Sequence, residues 1–276
     1  NLKIKDFQLF ELIGGKNNKA FKVLNNGKTY FAKLYFLDVH RKYSRLETEM
    51  KFFKFLKRKK ILNIPNPVIF SVDKNIGLFD FIDGIPYEKK DEVAKINIKE
   101  AAEFFRNLNR NFSFKEDLNN ASDAFFNIEN LFASLDSRLE KLKAMDLKYE
   151  VDREAKIFVN EVLKFWKNEK LNISFKLNQN NLRQLNKEDV CISPSDFGFH
   201  NALNYKNRTY FYDFEHAGYD DPSKFICDFF LQPKISVSFK FFDYFVKHAF
   251  VNFKNKETIV RRSLIMFSIF KVKWIC

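Results

Sequence analysis

The sequence predicts an α+β chain in two lobes: an antiparallel β-lobe in residues 1–84, then a mainly helical lobe in residues 85–276. Three observations carry this. Short β-prone runs separated by glycine and asparagine turns fill the first 84 residues. From residue 95 onward apolar residues recur at three- and four-residue spacing. A lone hairpin pattern, residues 202–205 and 208–212, interrupts the helices. At 276 residues and 46% hydrophobic, the chain can bury a substantial core in one bilobal body.

Taken in order, residues 10–13 are a short apolar run and Gly14-Gly15-Lys16-Asn17-Asn18 is a turn. Residues 20–24 read as a second strand, Asn25-Asn26-Gly27-Lys28 as another tight turn, and residues 29–36 as a third strand carrying Lys33. A glycine turn between strands lets backbone N–H groups, here of Gly14, Gly15, Asn17 and Asn18, approach phosphate oxygens without an intervening side chain. Lys33 lies within FAKLYF, and a charge among apolar neighbours requires a partner. Residues 45–60 carry Leu46, Met50, Phe53 and Leu56 or Ile61 at helical spacing, and either Glu47 or Glu49 of that helix can reach Lys33. Ile64-Pro65-Asn66-Pro67 ends the helix, and residues 76–82 (IGLFDFI) form a buried strand running into Asp83-Gly84. Three helices follow. Residues 95–111 bear Ala101, Ala102, Phe104, Phe105 and Leu108, residues 128–145 bear Leu131, Leu135, Leu139 and Leu142, and residues 151–166 bear Ile157, Val162 and Phe165. All three stripes read as core faces. The asparagine-rich residues 176–186 read as a loop before a strand at 190–193, and Asp220-Asp221-Pro222 breaks the chain before a further helix.

Chemistry concentrates in residues 193–215, SPSDFGFHNALNYKNRTYFYDFE. With Lys206-Asn207 as a two-residue turn, Tyr205 faces Arg208 and Asn201 faces Tyr212. Asn201 and Asp213 then emerge together at the open end of the hairpin, and Asp196 sits on the loop that feeds it. A carboxylate, an amide oxygen and a second carboxylate at one loop mouth suit hard Mg²⁺ ions and a hydroxyl nucleophile. Those are the needs of phosphoryl transfer. His200, Phe197 and Phe199 stand beside Asp196, within reach of an acceptor, with a packed loop aromatic as the ordinary fate of either Phe.

The pattern D-x-x-x-x-N, a hairpin, then D-F-E resembles the kinase-like phosphotransferases of the aminoglycoside phosphotransferase and choline kinase group, over nearly the whole chain. The resemblance implies a protein-kinase-like bilobal fold. It implies that Asp196 is the catalytic base or hydroxyl-orienting carboxylate, and that Asn201 and Asp213 hold the metal ions bridging the nucleotide phosphates. Lys33 would position those phosphates, with Glu49 favoured over Glu47 as its partner. Backbone groups of Asp80, Phe81 and Ile82, at the hinge between lobes, would meet the adenine or guanine edge. An aspartate in the helix after Pro222, with Asp228 as the candidate, would tie down the catalytic loop by accepting its backbone N–H groups. The implied cofactors are Mg²⁺ and ATP or GTP. One departure stands out: Pro194-Ser195 occupies the place where the family commonly has His-Gly. It leaves the base and metal positions intact and weakens the tie to the antibiotic-modifying branch.

Charge narrows the partners. The chain carries net +13, with 17 Lys and Arg against 8 Asp and Glu in residues 1–84. The densest basic run, KFLKRKK at residues 54–60, has its aromatics on the opposite side of the same helix, which reads as a solvated face and not a nucleic-acid surface. A polycationic acceptor would want an acidic cleft, so neutral or anionic hydroxyl compounds such as sugars or sugar phosphates fit better. Asp117, Asp123 and Glu129 are the acids that could still form a local acidic rim. Two other classes weigh against a small-molecule kinase. A protein kinase is disfavoured because the span from Asp213 to Asp228 is too short for a peptide-docking segment and Glu215 replaces the usual glycine. A non-catalytic scaffold of the same fold stays open because of Pro194-Ser195. No apolar run approaches the roughly 18 residues needed to span a bilayer. The scattered Cys191, Cys227 and Cys276 suit neither metal nor disulfide, which points to reduced thiols and the cytoplasm. The missing initiator Met and the apolar helical pattern at the C-terminus read as a piece of a longer chain.

Overall fold

A computed structural model describes residues 7–13, 17–38, 42–112 and 114–276. Strands β1 (Gln8–Leu12), β2 (Lys19–Asn25) and β3 (Lys28–Leu34) are followed by helix α1 (Arg45–Arg58), then by β4 (Pro67–Ser71) and β5 (Ile76–Asp80). These five strands make one antiparallel sheet in the order β1-β2-β3-β5-β4, with Lys33 opposite Ala20 on one side and Gly77 on the other. Helix α1 starts at the Ser44 cap, whose hydroxyl accepts from the Glu47 N–H at 3.2 Å. Its apolar face buries Leu46, Phe52, Phe53, Phe55 and Leu56 under the sheet, while Met50 is only half-buried. The opposite, basic face holds the segment beyond the next helix: Arg58 pairs with Glu116 at 2.6 Å, Lys51 with Asp117 at 2.7 Å, and Lys59 donates to the Arg110 carbonyl at 2.6 Å.

The short strand β6 (Ile85–Pro86) leads into α2 (Lys95–Leu108), α3 (Ile128–Lys143) and α4 (Glu150–Gln179). After α4 come β7 (Cys191–Ser193), β8 (Ala202–Tyr205), β9 (Arg208–Phe211) and β10 (Gly218–Asp220), then α5 (Pro222–Leu231), α6 (Phe242–Ala249) and α7 (Lys256–Lys273). The α2 stripe is fully buried as its spacing predicts. In α3, Leu131, Leu135 and Leu139 are buried and Leu142 is half-buried.

Helix α4 corrects the expectation twice. It runs on to Gln179, into residues read as loop, because Ile173 and Leu177 continue the buried line of Val159, Val162 and Trp166 at helical spacing. Burial of that line outweighs the poor helix propensity of its asparagines. The same register leaves Ile157 and Phe165, expected in the core, 64% and 52% exposed. They flank the buried line, and only Val162 of the three predicted positions lies on it.

Two small sheets frame the loop between β7 and β8. In the β8–β9 hairpin Tyr205 faces Arg208, and the turn residues Lys206 and Asn207 both have positive φ, 51° and 59°, as a type I′ turn requires. The Tyr212 N–H donates to the Asn201 carbonyl at 3.1 Å, extending the ladder one step to the open end. Strand β10 lies antiparallel to β7, with Gly218 opposite Ser193. A Cβ at Gly218 would lie 2.1 Å from the Asn119 carbonyl oxygen, so only glycine lets the chain cross there.

One aromatic core joins the sheet to the helices. Phe214 packs on Phe52 and Phe53 of α1 with ring centroids 5.2 and 5.4 Å apart, and on Phe104 of α2 at 6.0 Å. From there Phe197, Phe225, Phe229 and Phe245 carry the same cluster to α6.

Candidate active site

Asp196 lies on the loop between β7 and β8. Its Oδ1 is 3.0 Å from His200 Nε2, and Asn201 Nδ2 donates to the Asp196 carbonyl at 3.0 Å. Burial pushes its carboxyl up, but the hydrogen bond and charge of His200 and the further bond from Asn201 hold it below the usual carboxylate range. It is therefore ionised at neutral pH. With its amide nitrogen committed to Asp196, Asn201 has Oδ1 as the atom left for a cation. Phe197 and Phe199 are both buried in the aromatic core, so neither lines an acceptor site.

Asp213 ends the hairpin in a left-handed conformation, φ 66°, which turns its side chain back toward the sheet lobe. Lys33 Nζ meets it there, 2.6 Å from Asp213 Oδ1, 2.8 Å from Glu49 Oε2 and 2.9 Å from Glu215 Oε2. Glu49, not Glu47, is thus the partner of Lys33. Glu49 also accepts from the Tyr35 hydroxyl at 2.6 Å and, through Oε1, from the Phe214 N–H at 2.7 Å. That one carboxylate ties α1 to β3 and to the D-F-E segment. Burial opposes the charge on Lys33, but Asp213, Glu49 and Glu215 outweigh it and hold the ammonium well above its ordinary range.

Glu215 was not among the expected site residues. Its buried carboxylate receives Lys33, Arg45 of α1 and the side-chain amide of Asn18. Asn18 in turn accepts from the Phe36 N–H at 2.9 Å, so it serves the site through its side chain. The available signal was an acid directly after Asp-Phe, with Arg45 at the start of a helix that also supplies Glu49. Asn17 is exposed, and Gly14 and Gly15 lie outside the described residues.

At the hinge, the Asp80 N–H donates to the Asn66 carbonyl at 2.9 Å and the Phe81 N–H to the Thr29 carbonyl at 3.3 Å. Among the described residues, the Ile82 N–H has no partner. The Asp80 side chain is occupied by Asn66 at 2.8 Å. The acids considered as an acidic rim are each neutralised: Asp117 by Lys51, Asp123 by Arg138 and Glu129 by Arg183.

Asp228 does not accept from the backbone of the loop between β7 and β8. It pairs with Lys273 at 3.0 Å and Lys224 at 3.2 Å. The register of α5 puts Lys224 one turn earlier on the same face, so an ammonium and not a carboxylate meets the loop. Asp220, also on Lys224 at 2.9 Å, is fully buried, and burial pushes its carboxyl up to about 6 against the pull of the ammonium. Unfolded, the same group would release its proton near about pH 4. The folded chain holds that extra proton between the two values, so stability falls as pH rises through this window and then levels. In Asp220→Asn the slope should vanish: from about pH 4 to about pH 7 the parent is expected to lose about 3 kcal/mol relative to the variant in urea unfolding. Parallel curves across the window would refute the assignment.

The residues suit a divalent cation. Asn201 Oδ1 and the Asp213 carboxylate are hard oxygen donors of the kind such an ion takes, whereas the cluster of Glu49, Asp213 and Glu215, whose oxygens lie within 4.8 Å of one another, already holds the Lys33 ammonium. Neither a protein-family model nor a curated protein sequence matches the chain. Solved structures do, over nearly its entire length. Choline kinase LicA from Streptococcus pneumoniae superimposes with a TM-score of 0.62 at 15% identity, covering 99% of this chain and 85% of that one. Ethanolamine kinase from Plasmodium vivax gives 0.61 at 16%, covering 98% and 73%. The aminoglycoside phosphotransferase APH(2'')-Ib, ADP-bound, gives 0.60 at 20%, covering 97% and 85%. The chain has the protein-kinase-like fold. In kinase-like terms the β-sheet with α1 is the smaller lobe, and the β7–β10 strands present Asp196, Asn201 and Asp213 from the helical lobe beneath it. At these identities the likeness is one of fold. Among the described residues, no helix is long and apolar enough to cross a membrane.

Proposed function

We propose that this protein is a small-molecule kinase that moves the γ-phosphate of ATP to a hydroxyl of a small polar acceptor. The observation that carries the reading is Lys33, held within 2.6 to 2.8 Å of Glu49 and Asp213, with Asp196 and Asn201 bonded to each other on the loop that feeds the same hairpin. A buried ammonium bound to a helix glutamate is a positive charge held in place for the nucleotide's phosphates. Asn201 and Asp213 would hold Mg²⁺, which supplies charge neutralisation on the β- and γ-phosphates. Asp196 orients the acceptor hydroxyl and takes its proton as the oxygen bonds to Pγ and ADP leaves with the bridging oxygen. His200 holds Asp196 Oδ1, and Oδ2, which accepts only a long 3.4 Å bond from Asn201, would face the acceptor. The Ile82 N–H would meet the adenine edge. ATP is favoured as donor because kinase-like neighbours are described with ADP and ATP bound.

Neutral or anionic acceptors, sugars among them, remain the better match, because Asp117, Asp123 and Glu129 are each spent on a cation. Buried thiols at Cys191 and Cys227 suit an enzyme working in the cytoplasm. The deciding experiment is Mg²⁺-dependent ADP release across sugars, sugar phosphates, amino alcohols and aminoglycosides. Acceptor-stimulated release is the expected result. No nucleotide binding with or without Mg²⁺ would overturn the kinase reading, and turnover confined to aminoglycosides would overturn the acceptor argument.

A further inference from the structure

The residue before the proposed base adopts a conformation its side chain disfavours. Ser195 has φ 67°, the left-handed region where glycine is at ease and a Cβ is strained. Something in the fold must hold it there. Its hydroxyl supplies the means: Lys224 Nζ donates to Ser195 Oγ at 3.2 Å, and Oγ donates onward to the Ser122 carbonyl at 3.1 Å. The Ser195 N–H donates to Ser193 Oγ at 2.9 Å, and its carbonyl accepts from the Phe197 N–H at 2.9 Å.

Lys224 is itself fixed. It is 2% exposed, and its ammonium has three N–H groups with three partners: Asp220 at 2.9 Å, Asp228 at 3.2 Å and Ser195. Lys273 balances the remaining charge on Asp228. The next residue, Phe225, stacks on Phe105 at 3.9 Å and packs on Phe197 of the loop at 5.6 Å, which locks this turn of α5 in the core. Ammonium burial is costly without such a closed set of partners.

We propose that Lys224 and Ser195 act together as a positioning pair: the buried ammonium clamps Ser195 in its left-handed conformation and so aims Asp196 at the acceptor hydroxyl. This rests on the kinase reading and adds two positioning residues to it. The clamp does from α5, through a side-chain hydroxyl, what a carboxylate accepting backbone N–H groups was expected to do.

Ser195→Ala tests the clamp, because it keeps the strained Cβ and deletes only Oγ. Amide hydrogen exchange over residues 194–201 should quicken at least about tenfold, a readout that needs no turnover. The value of kcat should fall about ten- to a hundredfold while KM for ATP stays within about twofold, the signature of misplaced chemistry and not of lost binding. Lys224→Met should reproduce both effects, and the double variant should be no worse than the worse single one. If Lys224→Met fails to fold, Ser195→Ala and Ser195→Gly decide: glycine relieves the strain, so it should restore thermal stability without restoring kcat. Unchanged exchange in Ser195→Ala, full turnover in Ser195→Gly, or additive losses in the double variant would overturn the proposal. A parent chain without any phosphate transfer would overturn the kinase reading instead, with the exchange data still reporting on the clamp.

Discussion

Asp196→Asn is expected to lower phosphate transfer by about a hundred- to ten-thousandfold while leaving ATP affinity within a few-fold of the parent. The substitution is isosteric and keeps an oxygen for the His200 contact, so the loop should hold its shape. Asn201 bonds the Asp196 backbone carbonyl at 3.0 Å, which the change leaves untouched. What disappears is the proton acceptor. The nucleotide's own contacts would lie elsewhere under the proposed reading, on Lys33, Asn201, Asp213 and the hinge. Initial rates with a competent acceptor and a titration with a fluorescent ATP analogue separate the two quantities. Turnover within about tenfold of the parent would show that Asp196 does not take the proton.

Lys33→Met should be the most damaging single change to the site. It removes the ammonium from among Glu49, Asp213 and Glu215, whose oxygens lie within 4.8 Å of one another. Arg45 still pairs with Glu215, and Tyr35 and the Phe214 N–H still bond Glu49, so the fold keeps partial compensation. Breaking one partner out of a buried ionic set typically costs about 3–5 kcal/mol, because the stranded charges must find protons or cations. Turnover should be lost with it. Mg²⁺ should then restore more thermal stability to the variant than it adds to the parent, since only the variant leaves the acidic cluster without its resident cation. Melting curves with and without Mg²⁺ provide the check, and a variant that melts within about 2 °C of the parent would contradict the role given to Lys33.

The local parts of this architecture were legible in the sequence, and the long-range parts were not. The hairpin was readable because Lys206-Asn207 fixes its register, and that register alone carries Asn201 and Asp213 to one end. The α2 stripe was readable because every position on it faces the same core. Helix α4 was harder. A long helix lying on the surface covers only a narrow line of its apolar residues, and periodicity does not say which line. Glu215 was missed because its partners, Asn18 and Arg45, are far away in sequence and meet it only once the lobes close. Asp228 was misassigned for a related reason. The residue types in α5 show that charges sit among aromatics, but only the packed register reveals that Lys224 faces the loop and Asp228 faces Lys273.

Phe214 carries a consequence for how the molecule can be divided. Its ring sits between α1 and α2 while its N–H is held by Glu49, so the chain just after the hairpin plugs a socket built from both lobes. Severing the chain at Gly84 would take the Phe214 ring away from Phe52 and Phe53 and leave that side of the first piece's aromatic cluster open to water. Neither fragment owns a finished interior. The parts that look like modules along the sequence are halves of one interlocked object.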